Sequence, residues 1–230
     1  MTDVTVYGFQ HSTFVNLVRM VLTHKKVPFA FHDLESEMGG PAHLALHPFD
    51  RVPILKHGDF TLYESSAIVA YIDDAFGAPR LTPTDPRQRA RMNQWISVVN
   101  SYVYPYMIYH ISHERRVFPE LGIPSDEKVV AHAVPKVATA LRVLEAALGH
   151  GKPFLLGNDL SLADFYLLPS TFSFSQTPEG KTMMPEYPTV RRWLAGMEDL
   201  ETVRTFRAAQ PPRVPIEHAR KWVTSHRPKY

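Results

Sequence analysis

The hydrophobic pattern of this chain changes period once, and a proline-rich stretch marks the change. Up to residue 77, short alternating runs take turns with short amphipathic ones. After residue 86 nearly every apolar stretch repeats at three and four residues. Between them stand Gly77-Ala78-Pro79, Pro83 and Asp85-Pro86, a cluster that ends helices and strands alike. The period of two that suits a strand leaves a helix without an apolar face, and the reverse also holds. The chain therefore divides into a mixed α/β part at 1–77, a linker at 78–86, and an all-helical part at 87–230 with a C-terminal extension from about 211. A length of 230 residues suits two small domains better than one.

Within the first part, Val4 and Val6 alternate with polar residues until Gly8 breaks the run. Phe14, Leu17, Val18, Val21 and Leu22 then give one apolar helix face, closed favourably for the helix dipole by Lys25 and Lys26. Phe29 and Phe31 predict a second strand after Pro28, making a right-handed βαβ unit. Gly39-Gly40-Pro41 precedes a short helix at Ala42–Leu46. Two short strands flanking His57-Gly58-Asp59 read as a hairpin, and Glu64–Phe76 as a helix burying Ala67, Ile68, Tyr71 and Ile72. The order βαβ, connector, ββα is that of a small mixed sheet with helices on its faces.

The second part predicts a long helix or a pair of helices over Arg87–Phe118, kinked at Pro105, which has no N–H to donate. Val130, Val134, Val137, Leu141, Leu144 and Leu148 form the seam of another helix, interrupted at Pro135 and ended by Gly149-His150-Gly151. Further helices fall at Ser161–Phe174, Thr189–Met197 and Asp199–Ala209, with Pro211-Pro212 opening the tail.

Composition excludes several chemistries. There is no cysteine, so disulfides, thiolate metal sites and a protein-borne sulfur nucleophile are impossible. Basic and acidic residues number 25 and 23, a balance with no field for nucleic acid, and the basic tail reads as a solvated extension. No run reaches the roughly 18 apolar residues of a membrane span. The opening strand-like Val4-Thr5-Val6-Tyr7 lacks a leader's pattern. The expected location is cytoplasmic.

Three clusters carry candidate chemistry. Ser12, between the first strand and first helix, fits an N-cap, or a donor to an anion held at the helix N-terminus; Thr13 could take either role. In His47-Pro48-Phe49-Asp50-Arg51-Val52-Pro53, a cis bond before Pro53 would turn the Val52 N–H and C=O outward, where an extended peptide could pair with them. Glu64-Ser65-Ser66 opens the third helix, as stabilising polar residues or as a clamp for a zwitterion: Ser65 for a carboxylate, Glu64 for an ammonium.

Taken together, Tyr7-Gly8 through Ser12, Pro48-Phe49-x-x-Val52-Pro53 and Leu62-Tyr63-Glu64-Ser65-Ser66-Ala67-Ile68 resemble the thioredoxin-like, glutathione-binding half of the glutathione transferases. Leu155-Leu156-Gly157-Asn158-Asp159-Leu160-Ser161-Leu162-Ala163-Asp164 resembles that family's helical-domain signature. The pattern is similar to the serine-type phi class and its bacterial relatives, and it covers the chain up to about Ala209. The resemblance implies a thioredoxin-like domain followed by an all-α domain, glutathione as co-substrate with no metal, and as partners glutathione, a small hydrophobic electrophile and a second copy of the chain, with no nucleic acid or membrane. It assigns thiol activation to Ser12, glutathione binding to Arg51, Val52, Pro53, Glu64 and Ser65, and the second-substrate pocket to Phe14, Tyr106 and His110.

The implied mechanism is energetically sufficient. A free thiol has a pKa of about 8.5, and lowering it by two requires roughly 2.7 kcal/mol of preference for the thiolate. One hydroxyl bond to a charged sulfur supplies about 1.5–3 kcal/mol and a helix N-terminus about 0.3–1 more. Two features depart from the phi pattern. Met38-Gly39 stands where that class has a His-Lys pair for the glycyl carboxylate; Arg51, with Lys56, could reach that carboxylate instead, or Arg51 could be a solvated loop charge. Asp50 replaces a glycine, which puts the backbone of that turn in question.

Tyr102, Tyr106, Tyr109 and His113 repeat at helical spacing, as core or as a face for flat substrates. His110-x-x-His113-Glu114 superficially suggests a metal site but has no further ligand motif. Ser161 and Asp164 form a capping-box variant with a folding role, for which Asp164→Ala is expected to cost about 1–2 kcal/mol. Two alternatives stay open: a catalytically silent ligand- or protein-binding module, and a glutathione-dependent peroxidase, etherase or dehalogenase.

Overall fold

The computed structural model describes residues 3–34, 36–149, 151–210 and 220–228. The chain forms two compact units, Met1–Thr82 with Glu201–Arg213, and Pro83–Leu200 with Val214–Tyr230. The extension expected from about 211 lies largely outside the described residues, as do His150 and Tyr230.

In the first unit, strand β1 (Val4–Gly8) leads to helix α1 (Thr13–His24), strand β2 (Ala30–Asp33), helix α2 (Pro41–Leu46), the hairpin β3 (Ile54–His57) and β4 (Phe60–Tyr63), and helix α3 (Ser65–Ala75). The sheet order is β2-β1-β3-β4. β1 is parallel to β2 through the α1 crossover and antiparallel to β3, and β3 and β4 pair as a hairpin. Val15, Leu17, Val18, Val21 and Leu22 of α1 are buried, as their spacing requires. On α3 the expected face is partly wrong. Ser65, Ile68, Val69, Ile72 and Asp73 are buried, whereas Ala67 is exposed and Tyr71 half-buried. The stripe turns because Asp73 points inward, where Lys25 Nζ meets its carboxylate at 2.8 Å and the N–H groups of Leu81 and Thr82 donate to it.

The second unit begins with α4 (Pro86–Val98), which runs on without a break into wide-turn π-helical stretches at Val99–Val103 and Pro105–Val117 and the short α5 (Phe118–Glu120). Pro105 therefore does not interrupt the helix. The hydrogen bonds lengthen to five residues instead: the Tyr104 N–H reaches the Val99 carbonyl, and Phe118 reaches His113. Helix α6 (Glu127–Ala147) likewise continues through Pro135. The carbonyl deprived of its donor, on Ala131, belongs to an exposed residue and can be satisfied by water.

Helix α7 (Leu162–Ser175) is buried on nearly every side and forms the centre of this unit. Helix α8 (Pro178–Met183), which periodicity did not reveal, precedes α9 (Pro188–Asp199). Helix α10 (Glu201–Ala208) packs against α1 in the first unit, where Arg19 has its guanidinium over the rings of Phe31 and Phe206 at 4.4 and 5.2 Å. A last short helix, α11, spans Arg220–Ser225 in the second unit.

Candidate functional site

Sheet register gathers the sequence clusters of the first unit at one edge. Tyr7 of β1 pairs with Ile54 of β3, and Ile54 with Tyr63 of β4. The residues just beyond that row are Gly8, Pro53 and Glu64, so three chain segments leave the sheet side by side. Adjacent strands lie about 4.8 Å apart, which puts the outer two about 10 Å from one another. An extended tripeptide has the same length, about 10 Å.

The first segment carries Ser12. Its turn is fixed by the Asn16 side chain, which donates to the Gln10 carbonyl at 2.9 Å, and by the Ser12 N–H, which donates to Phe9 at 3.3 Å. Gly8 is required here, because a Cβ would stand 2.3 Å from Val15 Cγ2. Ser12 is the N-cap of α1: the Val15 N–H donates to its Oγ at 3.4 Å. That bond uses a lone pair and leaves the hydroxyl proton for another acceptor. Both roles weighed for Ser12 are thus chemically compatible. Thr13 and Phe14 occupy the first turn and are half-buried.

The second segment holds Arg51, Val52 and Pro53. The Val52–Pro53 bond is cis. Asp50 has φ 53, so the turn keeps the left-handed conformation with a residue that tolerates it. His43, wholly buried on α2, ties this loop together, and sequence reasoning passed over it. The Gly39 N–H donates to His43 Nδ1 at 3.1 Å, so the ring proton sits on Nε2 and is donated to the Arg51 carbonyl at 2.9 Å. The 3.3 Å approach of Asp50 Oδ1 to the same Nδ1 is then a contact without a shared proton. A lone histidine in a weak helix gave no signal of this role. Nearby His47 is buried against the Tyr63 ring at 4.7 Å. Burial, reinforced by His43 and Arg51, holds its imidazole below the ordinary pKa. The Arg51 guanidinium donates to the Asp50 carbonyl at 3.3 Å, whereas Lys56 pairs with Thr5 and Thr61, two residues into the sheet.

The third segment is the start of α3. Glu64, exposed, is its N-cap with φ 72 and ψ 112, an unusual conformation for a residue with a side chain, and Ser65 beside it is buried. Strain of this kind concentrates at ligand clamps.

Models of the glutathione S-transferase N-terminal and C-terminal domains match residues 6–80 and 127–196. The chain is 31% identical over 222 residues to "Probable glutathione S-transferase GSTF1" of Oryza sativa subsp. japonica, covering 93% of this chain and 99% of the relative. The chain belongs to the glutathione S-transferase family. A second relative, glutathione S-transferase 1 of Zea mays, is 32% identical over 186 residues, 81% of this chain and 85% of its own length. Among solved structures, glutathione S-transferase III in apo form superposes with a TM-score of 0.83 at 28% identity, covering 93% of this chain and all of that one. Glutathione S-transferase I from maize, in complex with an atrazine glutathione conjugate, gives 0.82 at 27% identity over 93% of this chain and all of its own.

In the helical unit of this transferase, Tyr106 and His110 stand on the wide-turn stretch with ring centroids 5.0 Å apart. His132 of α6, which the sequence did not single out, stacks on His110 at 6.0 Å. His110 Nδ1 lies 2.8 Å from the Pro105 carbonyl, which has no proton to give, so Nδ1 carries the proton. Burial lowers the pKa of this imidazole. Tyr102 is 62% exposed and Tyr109 packs on His113, so the tyrosine stripe is split between surface and ring cluster. Among the described residues no group of three or more His, Asp or Glu side chains could hold a metal ion, and no helix is long and apolar enough to cross a membrane.

The capping box at Ser161 forms, and it is larger than expected. Besides the Ser161 N–H and hydroxyl, the Leu155 N–H and the Trp193 Nε1–H donate to the buried Asp164 carboxylate. Burial pushes the Asp164 carboxyl above the usual range, and the four donors act against it.

Proposed function

We propose that this glutathione S-transferase activates the glutathione thiol with the Ser12 hydroxyl and directs the thiolate at a hydrophobic electrophile. The observation that carries the reading is the shared sheet edge. Ser12 at the α1 N-terminus, the main chain of Val52, and Glu64-Ser65 leave adjacent strands over a span that fits a tripeptide. Val52 N–H and C=O are engaged by no hydrogen bond among the described residues, so both suit pairing with the cysteinyl main chain. Ser65 and the α3 N-terminus suit the γ-glutamyl carboxylate and Glu64 its ammonium, while Arg51 suits the glycyl carboxylate. The Ser12 proton would then be donated to the sulfur, with the free N–H groups of the first helical turn adding positive potential. The proton leaves to solvent, so no general base is required. Tyr106 and His110 supply ring faces for the electrophile. By the same kinship we propose a homodimer, a reading that a monomer mass in sedimentation equilibrium would remove.

Ultraviolet titration of the bound thiolate tests the central step. Wild type should ionise the thiol about two pH units below free glutathione, and Ser12→Ala close to it. Ionisation in wild type no earlier than in buffer would support a silent binding module instead. One specific observation favours a variant of the mechanism: the Thr13 hydroxyl has no hydrogen bond among the described residues and occupies the same turn. Loss of the shift in Thr13→Val but not in Ser12→Ala would move the role to Thr13.

A further inference from the structure

The helical unit holds a buried carboxylate whose partner comes from far along the chain. Glu114, on the wide-turn stretch at Pro105–Val117, is wholly inaccessible to solvent. Its sequence neighbour Arg115 pairs with Glu127 and Glu179. The cation is Arg227, 113 positions later. Its Nε donates to Glu114 Oε1 at 2.8 Å and its Nη2 to Oε2 at 2.5 Å, while the Asp126 N–H donates to Oε2 at 2.7 Å. The pair is bidentate, the strong form of the arginine–carboxylate contact.

Other contacts fasten the same place. The Arg227 guanidinium lies 4.3 Å over the Phe118 ring and donates to the Pro124 carbonyl, and Val223 of α11 is buried with Phe118. Phe118 meets His113 edge-on, His113 meets Tyr109, and Tyr109 meets Tyr104. A continuous row of packed rings thus runs from the C-terminal segment along the stretch that carries Tyr106 and His110. That stretch makes wide helical turns, in which the Ser112 hydroxyl and the His110 ring bond to carbonyls five residues back. Such turns are less favourable than α-helical ones and persist where surrounding structure holds them.

We propose that Arg227 is a positioning residue: by neutralising Glu114 and covering Phe118, the C-terminal segment fixes the wide-turn helix on which the electrophile-facing Tyr106 and His110 stand. The proposal rests on the reading of those two residues given above. It makes α11 and Arg227 a working part of the helical unit, where the basic composition of the tail suggested a solvated extension.

The test compares Arg227→Ala, Arg227→Lys and Glu114→Gln in the full-length chain, by amide hydrogen exchange and by steady-state kinetics with glutathione and an aryl halide. In Arg227→Ala, exchange across residues 105–125 should speed at least tenfold while residues 4–75 are unchanged, and KM for the halide should rise severalfold with KM for glutathione constant. Arg227→Lys should recover part of both effects. Replacing Arg227 in a Glu114→Gln background should do much less, because no charge is then left buried. Unaltered exchange over 105–125 overturns the latch. Faster exchange with an unchanged halide KM overturns the positioning role and leaves a structural one. An inactive wild type would instead defeat the transferase reading, and exchange would still decide the latch.

Discussion

Two serines in this protein stand at the same kind of place, the N-cap of a helix, and are used differently. Ser161 is buried, and its hydroxyl and N–H are both committed to Asp164, which also ties in Leu155 and Trp193. Ser12 is half-buried, has Val15 where a capping box would have a carboxylate, and its hydroxyl makes one long contact of 3.4 Å among the described residues. A saturated cap spends its hydrogen-bonding capacity on folding; an unsaturated one keeps a donor for a ligand. What distinguishes them is the residue three positions on and the burial around it.

The largest expected effect is on the saturated side. Asp164→Ala strands four buried donors, so it should cost about 3–5 kcal/mol, more than the 1–2 kcal/mol that a cap alone would lose. Thermal unfolding would show a fall of about 10 °C. A fall of under about 3 °C would mean that the two caps are alike after all. Next, Ser12→Ala should lose about 30- to 150-fold in kcat/KM for conjugation, the equivalent of roughly 2–3 kcal/mol at the thiolate. Its stability should drop by only about 0.5–1 kcal/mol. Equal rates with a large stability loss would reverse the assignment. Arg51→Ala should raise KM for glutathione roughly tenfold through a lost charge-assisted bond, with kcat little changed; an unchanged KM removes Arg51 from the site.

The smallest effect sharpens the contrast between buried carboxylates. Asp164 has no cationic partner among the described residues, and burial pushes its pKa up. For Asp73, burial acts in the same direction but is outweighed by Lys25, Leu81 and Thr82, so its pKa is held down. A depressed folded pKa contributes stability that is present above the unfolded value of about 3.9 and is lost as pH falls through the folded one. Acid unfolding followed from pH 5 downward should therefore be less steep in Asp73→Asn than in wild type. Equal slopes would show that Asp73 is not a source of acid lability.

Much of this was legible in the chain because it depends on local pattern. The strands and helices of the first unit follow the switch from alternating to helical spacing, and the capping box follows from Ser161 and Asp164 at their separation. The misreadings have a common cause. The expected α3 face named Ala67 and Tyr71 and left out Asp73, whose inward position depends on Lys25, 48 positions earlier. Pro105 was read as a kink and Pro135 as an interruption because a missing donor was weighed without knowing whether the opposing carbonyl faced water or could shift to a longer bond. His43 and His132 were missed because a single histidine has no periodicity.

The sequence by itself determined the order of elements, the fold family and the serine at the end of β1, since propensity, spacing and caps act over a few residues. Only the tertiary structure decided which charges are buried and what answers them: Lys25 for Asp73, Trp193 for Asp164, Arg227 for Glu114. A charge in the interior needs a partner within a few ångströms, and distance along the chain does not limit which residue can supply it.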